Sequence, residues 1–170
     1  KALTDVSSIV LTEKQQEAFE EIHKGFDAEK PVLLHGVTAS GKTEIYIKLI
    51  QEAIDEGKQV LYLLPEIALT EQIINRLKKY FGDRVGVYHS RYDNNERVEI
   101  WQQVINFRSL ESQDLRTSKY QIIIGSRSAV ETYAYFRNYG IALLILCCSD
   151  LHCGNQVFLA VCPRHSYRKL

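Results

Sequence analysis

The chain has 170 residues, of which 45% are hydrophobic and 25% charged, enough to bury a sizeable core and about the size of one domain. Lys plus Arg and Asp plus Glu both total 21, so the formal charge is zero and the basic excess that usually marks a nucleic-acid binder is missing. No charged-then-apolar signal segment opens the chain, and its longest apolar run, Ile141 to Cys148, is too short to cross a bilayer; a cytoplasmic piece of a longer protein, with no membrane partner, is the expectation.

Thr12, with Gln15 three residues later, opens TEKQQEAFEEIHKGF, where Phe19, Ile22 and Phe26 recur at helical spacing and predict a first helix. Pro31 begins a short apolar strand, PVLLHG. The glycine-rich turn GVTASGKT leads from it into TEIYIKLIQEAIDEGK, whose Ile45, Leu49, Ile50, Ala53 and Ile54 form one apolar stripe, with Gly57 placed to end the helix. The strand QVLYLLP precedes a helix predicted from Thr70 to Tyr80 and stopped by Gly82. The strand RVGVYHS precedes one from about Asp93 to Phe107. After the polar stretch RSLESQDLRTSKY come the strand QIIIGS and a buried strand, GIALLILC. Strands alternating with helices predict an α/β fold, a parallel sheet with helices on both faces.

The carboxyl end has a different character. Residues 1 to 131 carry 20 of the 21 acids, leaving only Asp150 beyond Glu131. Cys147, Cys148, Cys153 and Cys162 all fall in the last quarter, so they cannot staple the whole fold, and reduced thiols are expected. The expected organisation is one lobe over 1–130 and a divergent or truncated end of the same lobe over 131–170. Cys148, His152, Cys153, Cys162 and His165 are enough donors for a metal, but their spacings lack the paired C-x-x-C units of a structural zinc site.

GVTASGKT, residues 36 to 43, satisfies G-x-x-x-x-G-K-[ST] directly after a strand and at the start of a helix. Gly36 and Gly41 allow the loop backbone, with Thr38 and Ser40, to wrap a phosphate, and the helix N-terminus adds partial positive charge. Lys42 is expected to reach the β- and γ-phosphates of ATP or ADP, and Thr43 to offer its hydroxyl to Mg²⁺.

Four further segments carry a resemblance: LTEKQQ before the P-loop, LLPEIALTEQ (63–72), VYHSRYDNNER (87–97) and IIIGSRSAV (122–130). In this order they resemble the motifs of the primosomal protein N′ family of replication-restart helicases, within superfamily 2, over roughly residues 11 to 130. The resemblance implies a RecA-like P-loop lobe of an ATP-dependent 3′-to-5′ DNA helicase. It also implies single-stranded or forked DNA and replication-restart proteins as partners of the full-length protein. The family's zinc belongs to a Cys-rich region elsewhere and is not expected in this chain.

Each motif has a plainer reading beside the functional one. Gln15 serves a capping box alone or, as the resemblance implies, also reads the adenine edge. PEIALT ends a strand and starts a helix with Thr70 as its cap, or contacts the backbone of single-stranded DNA, or does both. Arg127, just past a strand's carboxyl end, lies where open α/β sheets place ligand contacts, though exposed arginines are common. His89 reads better as a histidine satisfied at a strand end, and Trp101 better as core than as a stacking platform.

The family ends the strand after GSRSA with Asp-Glu-Glu-His, for Mg²⁺ and for the attacking water, whereas this chain reads GIALLILCCSD. Nucleotide binding without hydrolysis by the chain alone, and weak DNA binding, are therefore expected. A non-catalytic nucleotide-binding module and a lobe of another superfamily 2 translocase are the alternatives.

Overall fold

The computed structural model describes residues 3–37, 40–64, 71–88, 98–100, 102, 120–126, 141–148 and 156–161. Three helices, α1 (Glu13–Asp27), α2 (Lys42–Asp55) and α3 (Glu71–Phe81), accompany six strands: β1 (Val32–His35), β2 (Gln59–Leu64), β3 (Val85–Tyr88), β4 (Ile122–Ser126), β5 (Ile141–Cys148) and β6 (Gln156–Val161). Their boundaries follow the punctuation in the sequence. Thr12 Oγ1 accepts from Gln15 N, and Thr12 N donates to Gln15 Oε1, which closes the capping box that starts α1. Gly57 (φ 69°) and Gly82 (φ 58°) lie just past α2 and α3 in the left-handed region that glycine enters most easily.

One six-stranded sheet runs in the order β1-β6-β5-β2-β4-β3. β5, β2, β4 and β3 are mutually parallel, with Leu146 opposite Leu63, Leu63 opposite Gly125 and Gly125 opposite Tyr88, so their carboxyl ends are level. β6 runs antiparallel to both β5 and β1, which sets β1 in the same direction as the parallel set. The parallel sheet predicted from the sequence is present in the four strands β5, β2, β4 and β3, and β6, beyond the segments read from the sequence, adds an antiparallel strand to it. Its link to β5, residues 149–155, is shorter than the roughly dozen residues a parallel crossover requires, so the chain returns as a hairpin.

The core lies between this sheet and the helices. β2 is buried at every position, as a central strand covered on both faces must be. The predicted α2 stripe of Ile45, Leu49, Ile50, Ala53 and Ile54 is buried, together with Tyr46 and Ile47, so α2 presents apolar surface well beyond one face. Ile22 of α1 and Ile74, Leu77 and Phe81 of α3 join the cluster, against which Phe19 and Phe26 are partly buried. At the β1 end the cover is thinner: Leu33 is 47% exposed, and the strand alternates half-buried and exposed. Among the described residues, no helix is long and apolar enough to cross a membrane.

The helix expected from about Asp93 to Phe107 is described only at residues 98–100 and 102, which are helical. Trp101 and His89 lie outside the described residues.

Candidate nucleotide site

The parallel strand directions bring one end of β1, β2, β3 and β4 to the same edge of the sheet. At that edge the chain leaves β1 for the glycine-rich turn, β2 for PEIALT, β3 for the HSRYDNNER stretch and β4 for RSAV. Ligand sites of open α/β sheets are built at this edge, because the loops leaving adjacent strands converge there. Thr38, Thr70 and Arg127, all singled out from sequence, lie outside the described residues, as does Asp150.

The turn itself is described on both sides of 38–39. Gly36 leaves β1 and packs so closely on the loop that a Cβ there would stand 2.7 Å from Ser40 Oγ and 3.5 Å from Lys42 Nζ. Gly41 is the N-cap of α2 with φ 81° and makes no side-chain cap. A left-handed glycine at this point turns the chain sharply into the helix and leaves the first-turn N–H groups uncovered by any side chain of their own. Lys42 is the first helical residue. Its ammonium turns back over the loop, donating to the carbonyl oxygens of Gly36 and Val37, the latter at 2.8 Å, and to Ser40 Oγ at 3.4 Å. Lys42 and Thr43 are both half-buried in the first turn.

Gln15 joins α1 to this loop. While its Oε1 closes the capping box, its Nε2 donates to the carbonyl oxygen of Gly41 at 3.1 Å. The two readings of Gln15 left open by the sequence are thus joined by a third, a brace on the P-loop. A Cβ on Gly41 would fall 1.9 Å from Gln15 Nε2, so the contact requires glycine there. The amide retains a second N–H and a second lone pair with which to meet a base edge.

Sequence reasoning missed an ion pair beside the loop. Glu44, in the first turn of α2, is bonded through Oε1 to the Arg76 guanidinium of α3, and its Oε2 comes within 3.3 Å of where a Gly41 Cβ would be. The contact joins residues 32 positions apart, so no local spacing announces it.

The residues present fit a nucleotide phosphate: an uncapped helix N-terminus, a tightly folded glycine turn and an ammonium held over it. Such an arrangement favours an anion through N–H groups, the helix dipole and a charge-assisted hydrogen bond from lysine. Thr43 in the same turn could hold Mg²⁺ through its hydroxyl.

A family model described as DEAD/DEAH box helicase matches residues 12–146, across the change in character near 131. The chain is 36% identical over 146 residues to the replication restart protein PriA of Bacillus subtilis (strain 168), covering 85% of this chain and 16% of that protein. It is 38% identical to the PriA of Haemophilus influenzae over 80% of the chain and 17% of the relative, and 39% identical to that of a Synechocystis species over 66% and 12%. The chain therefore spans about a sixth or less of each relative's length. With the glycine turn, its lysine and the four parallel strands of the α/β sheet in place and the match running over most of its length, the chain belongs to the DEAD/DEAH box helicase family.

Proposed function

We propose that this chain is the ATP-binding lobe of an ATP-dependent 3′-to-5′ DNA helicase of replication restart, whose whole-protein activity couples nucleotide turnover to strand separation at forked DNA. The observation that carries the reading is the glycine turn on the uncapped α2 N-terminus with the Lys42 ammonium folded over it. On this reading Gly36, Thr38, Ser40 and Gly41 shape the phosphate cradle. Lys42 exchanges its carbonyl partners for β- and γ-phosphate oxygens, a stronger charge-assisted contact. Gln15 presents its remaining donor and acceptor to the adenine edge. Thr43 would hold Mg²⁺ through its hydroxyl, and the ion would supply positive charge to offset that of the phosphates.

Thr70 and Arg127, which follow β2 and β4 in the chain, supply backbone contacts to single-stranded DNA. Those contacts are few and the chain's charge is balanced, so DNA binding by the chain alone is weak and salt-sensitive. Replication-restart proteins are partners of the full-length molecule, in keeping with the relatives being replication restart proteins.

A competition assay tests the nucleotide reading. A fluorescent ATP analogue should bind the chain and be displaced by ADP but hardly by AMP, because the cradle grips the β-phosphate. Displacement by AMP as effective as by ADP would place the ligand elsewhere and overturn the reading.

A further inference from the structure

Glu44 raises an electrostatic problem that Arg76 answers. A carboxylate in the first turn of a helix favours the helix itself, because it faces the positive end of the dipole. That same end is where the proposed site receives phosphate, so an uncompensated Glu44 beside Gly41 would repel the ligand the turn is shaped to hold. Oε2 of Glu44 reaches to within 3.3 Å of the position of a Gly41 Cβ, which puts the carboxylate against the loop rather than out on the helix flank. Its other oxygen is bonded to Arg76, which comes from α3. As a stability element the pair is weak: both side chains are about a third or more exposed, and exposed ion pairs contribute little.

We propose that Arg76 is a charge-compensating residue of the nucleotide site: by neutralising Glu44 it keeps the α2 N-terminus positive enough to bind a nucleotide diphosphate. The proposal rests on the nucleotide reading above. Because α3 begins at Glu71, directly after PEIALT, the pair also ties the element following the proposed DNA contact to the first turn after the P-loop.

The two roles an ion pair can have here predict opposite patterns. If Arg76 merely pins α3 to α2, Arg76→Ala, Glu44→Gln and the double variant should all weaken nucleotide binding alike. If Arg76 compensates charge, Arg76→Ala should weaken Mg-ADP about tenfold at low salt, since it leaves a bare carboxylate within a Debye length of the phosphates. Glu44→Gln should then bind as tightly as the parent or more so, and Glu44→Gln with Arg76→Ala should return to within about twofold of the parent. The loss in Arg76→Ala should shrink as salt is raised. Calorimetry with Mg-ADP on the full chain gives these affinities, and Arg76→Gln serves as a second variant should the alanine fail to fold. Equal affinity of the Arg76 variant and the parent, or a double variant as weak as the single, overturns the proposal while leaving the nucleotide reading intact. A parent chain that gives no Mg-ADP isotherm overturns both.

Discussion

The side chain of Gln15 is bonded to the backbone of Gly41, its Nε2 donating to the glycine carbonyl oxygen at 3.1 Å, so the first helix braces the turn that leads into α2. The brace rests on two features of that glycine: a φ of 81°, which side chains disfavour, and the lack of a Cβ where Gln15 Nε2 sits. Gly41→Ala should therefore lower stability by about 1–3 kcal/mol and weaken Mg-ADP. Gln15→Ala should cost about 1 kcal/mol through the lost capping box and loosen the loop as well. Urea melts and calorimetry check both. A Gly41→Ala chain with parental stability and affinity would show that the turn does not need its left-handed residue.

Ile47, fully buried in α2, tests how tightly the core supports the site. Ile47→Ala should destabilise by about 2–5 kcal/mol, the range for large-to-small changes in packed cores. The readout is the shift in the urea midpoint at constant slope. A shift below about 1 kcal/mol would mean that α2 is not seated as described.

Glu52 of α2 meets His23 of α1, Nε2 to Oε2 at 3.0 Å. Burial pushes its carboxyl above the ordinary value, only partly offset by the attraction of His23. A carboxyl raised in the folded state binds its proton more tightly there than in the unfolded chain. Its contribution to stability is thus full below the unfolded value and is lost as pH rises through the folded one. Glu52→Gln should be slightly more stable than the parent near neutral pH, by less than about 1 kcal/mol given the solvent screening of a half-exposed side chain, with the gap closing in acid. A gap that widened in acid would reverse the sign of this account.

Hydrolysis should be negligible in the chain alone, with or without single-stranded DNA. Phosphoryl transfer depends on a placed metal, an oriented water and a cation brought across the cleft, and losing one such contributor typically costs on the order of a hundredfold in rate. After Glu131 the sequence offers only Asp150 as an acid. Phosphate release with Lys42→Ala as the background control measures this. DNA-stimulated turnover that vanishes in the Lys42 variant would show that another acid serves.

Much of the fold is legible because its signals are local. The Thr12–Gln15 box, the glycines after α2 and α3, the apolar stripe of α2 and the P-loop each specify their own turn of chain. Tertiary choices are less so. The sequence pattern ends at GIALLILC and leaves out QVFLAV, whose place between β1 and β5 and whose reversed direction go with the short link before it. Tyr46 and Ile47 fall off the predicted stripe because α2 packs on more than one side. In the site, the proposed roles of Gly36, Gly41 and Lys42 are read from the motif. The Gln15 brace and the Arg76–Glu44 pair join residues 26 and 32 apart, which only the packed fold brings together.

The most direct measurement of the central claim is calorimetry of Mg-ADP against the chain and against Lys42→Ala. The parent should give a saturable isotherm, and the variant should lose about tenfold or more in affinity, because the removed ammonium supplies the charge-assisted contact to phosphate. Equal heats and affinities in both proteins would contradict the nucleotide site.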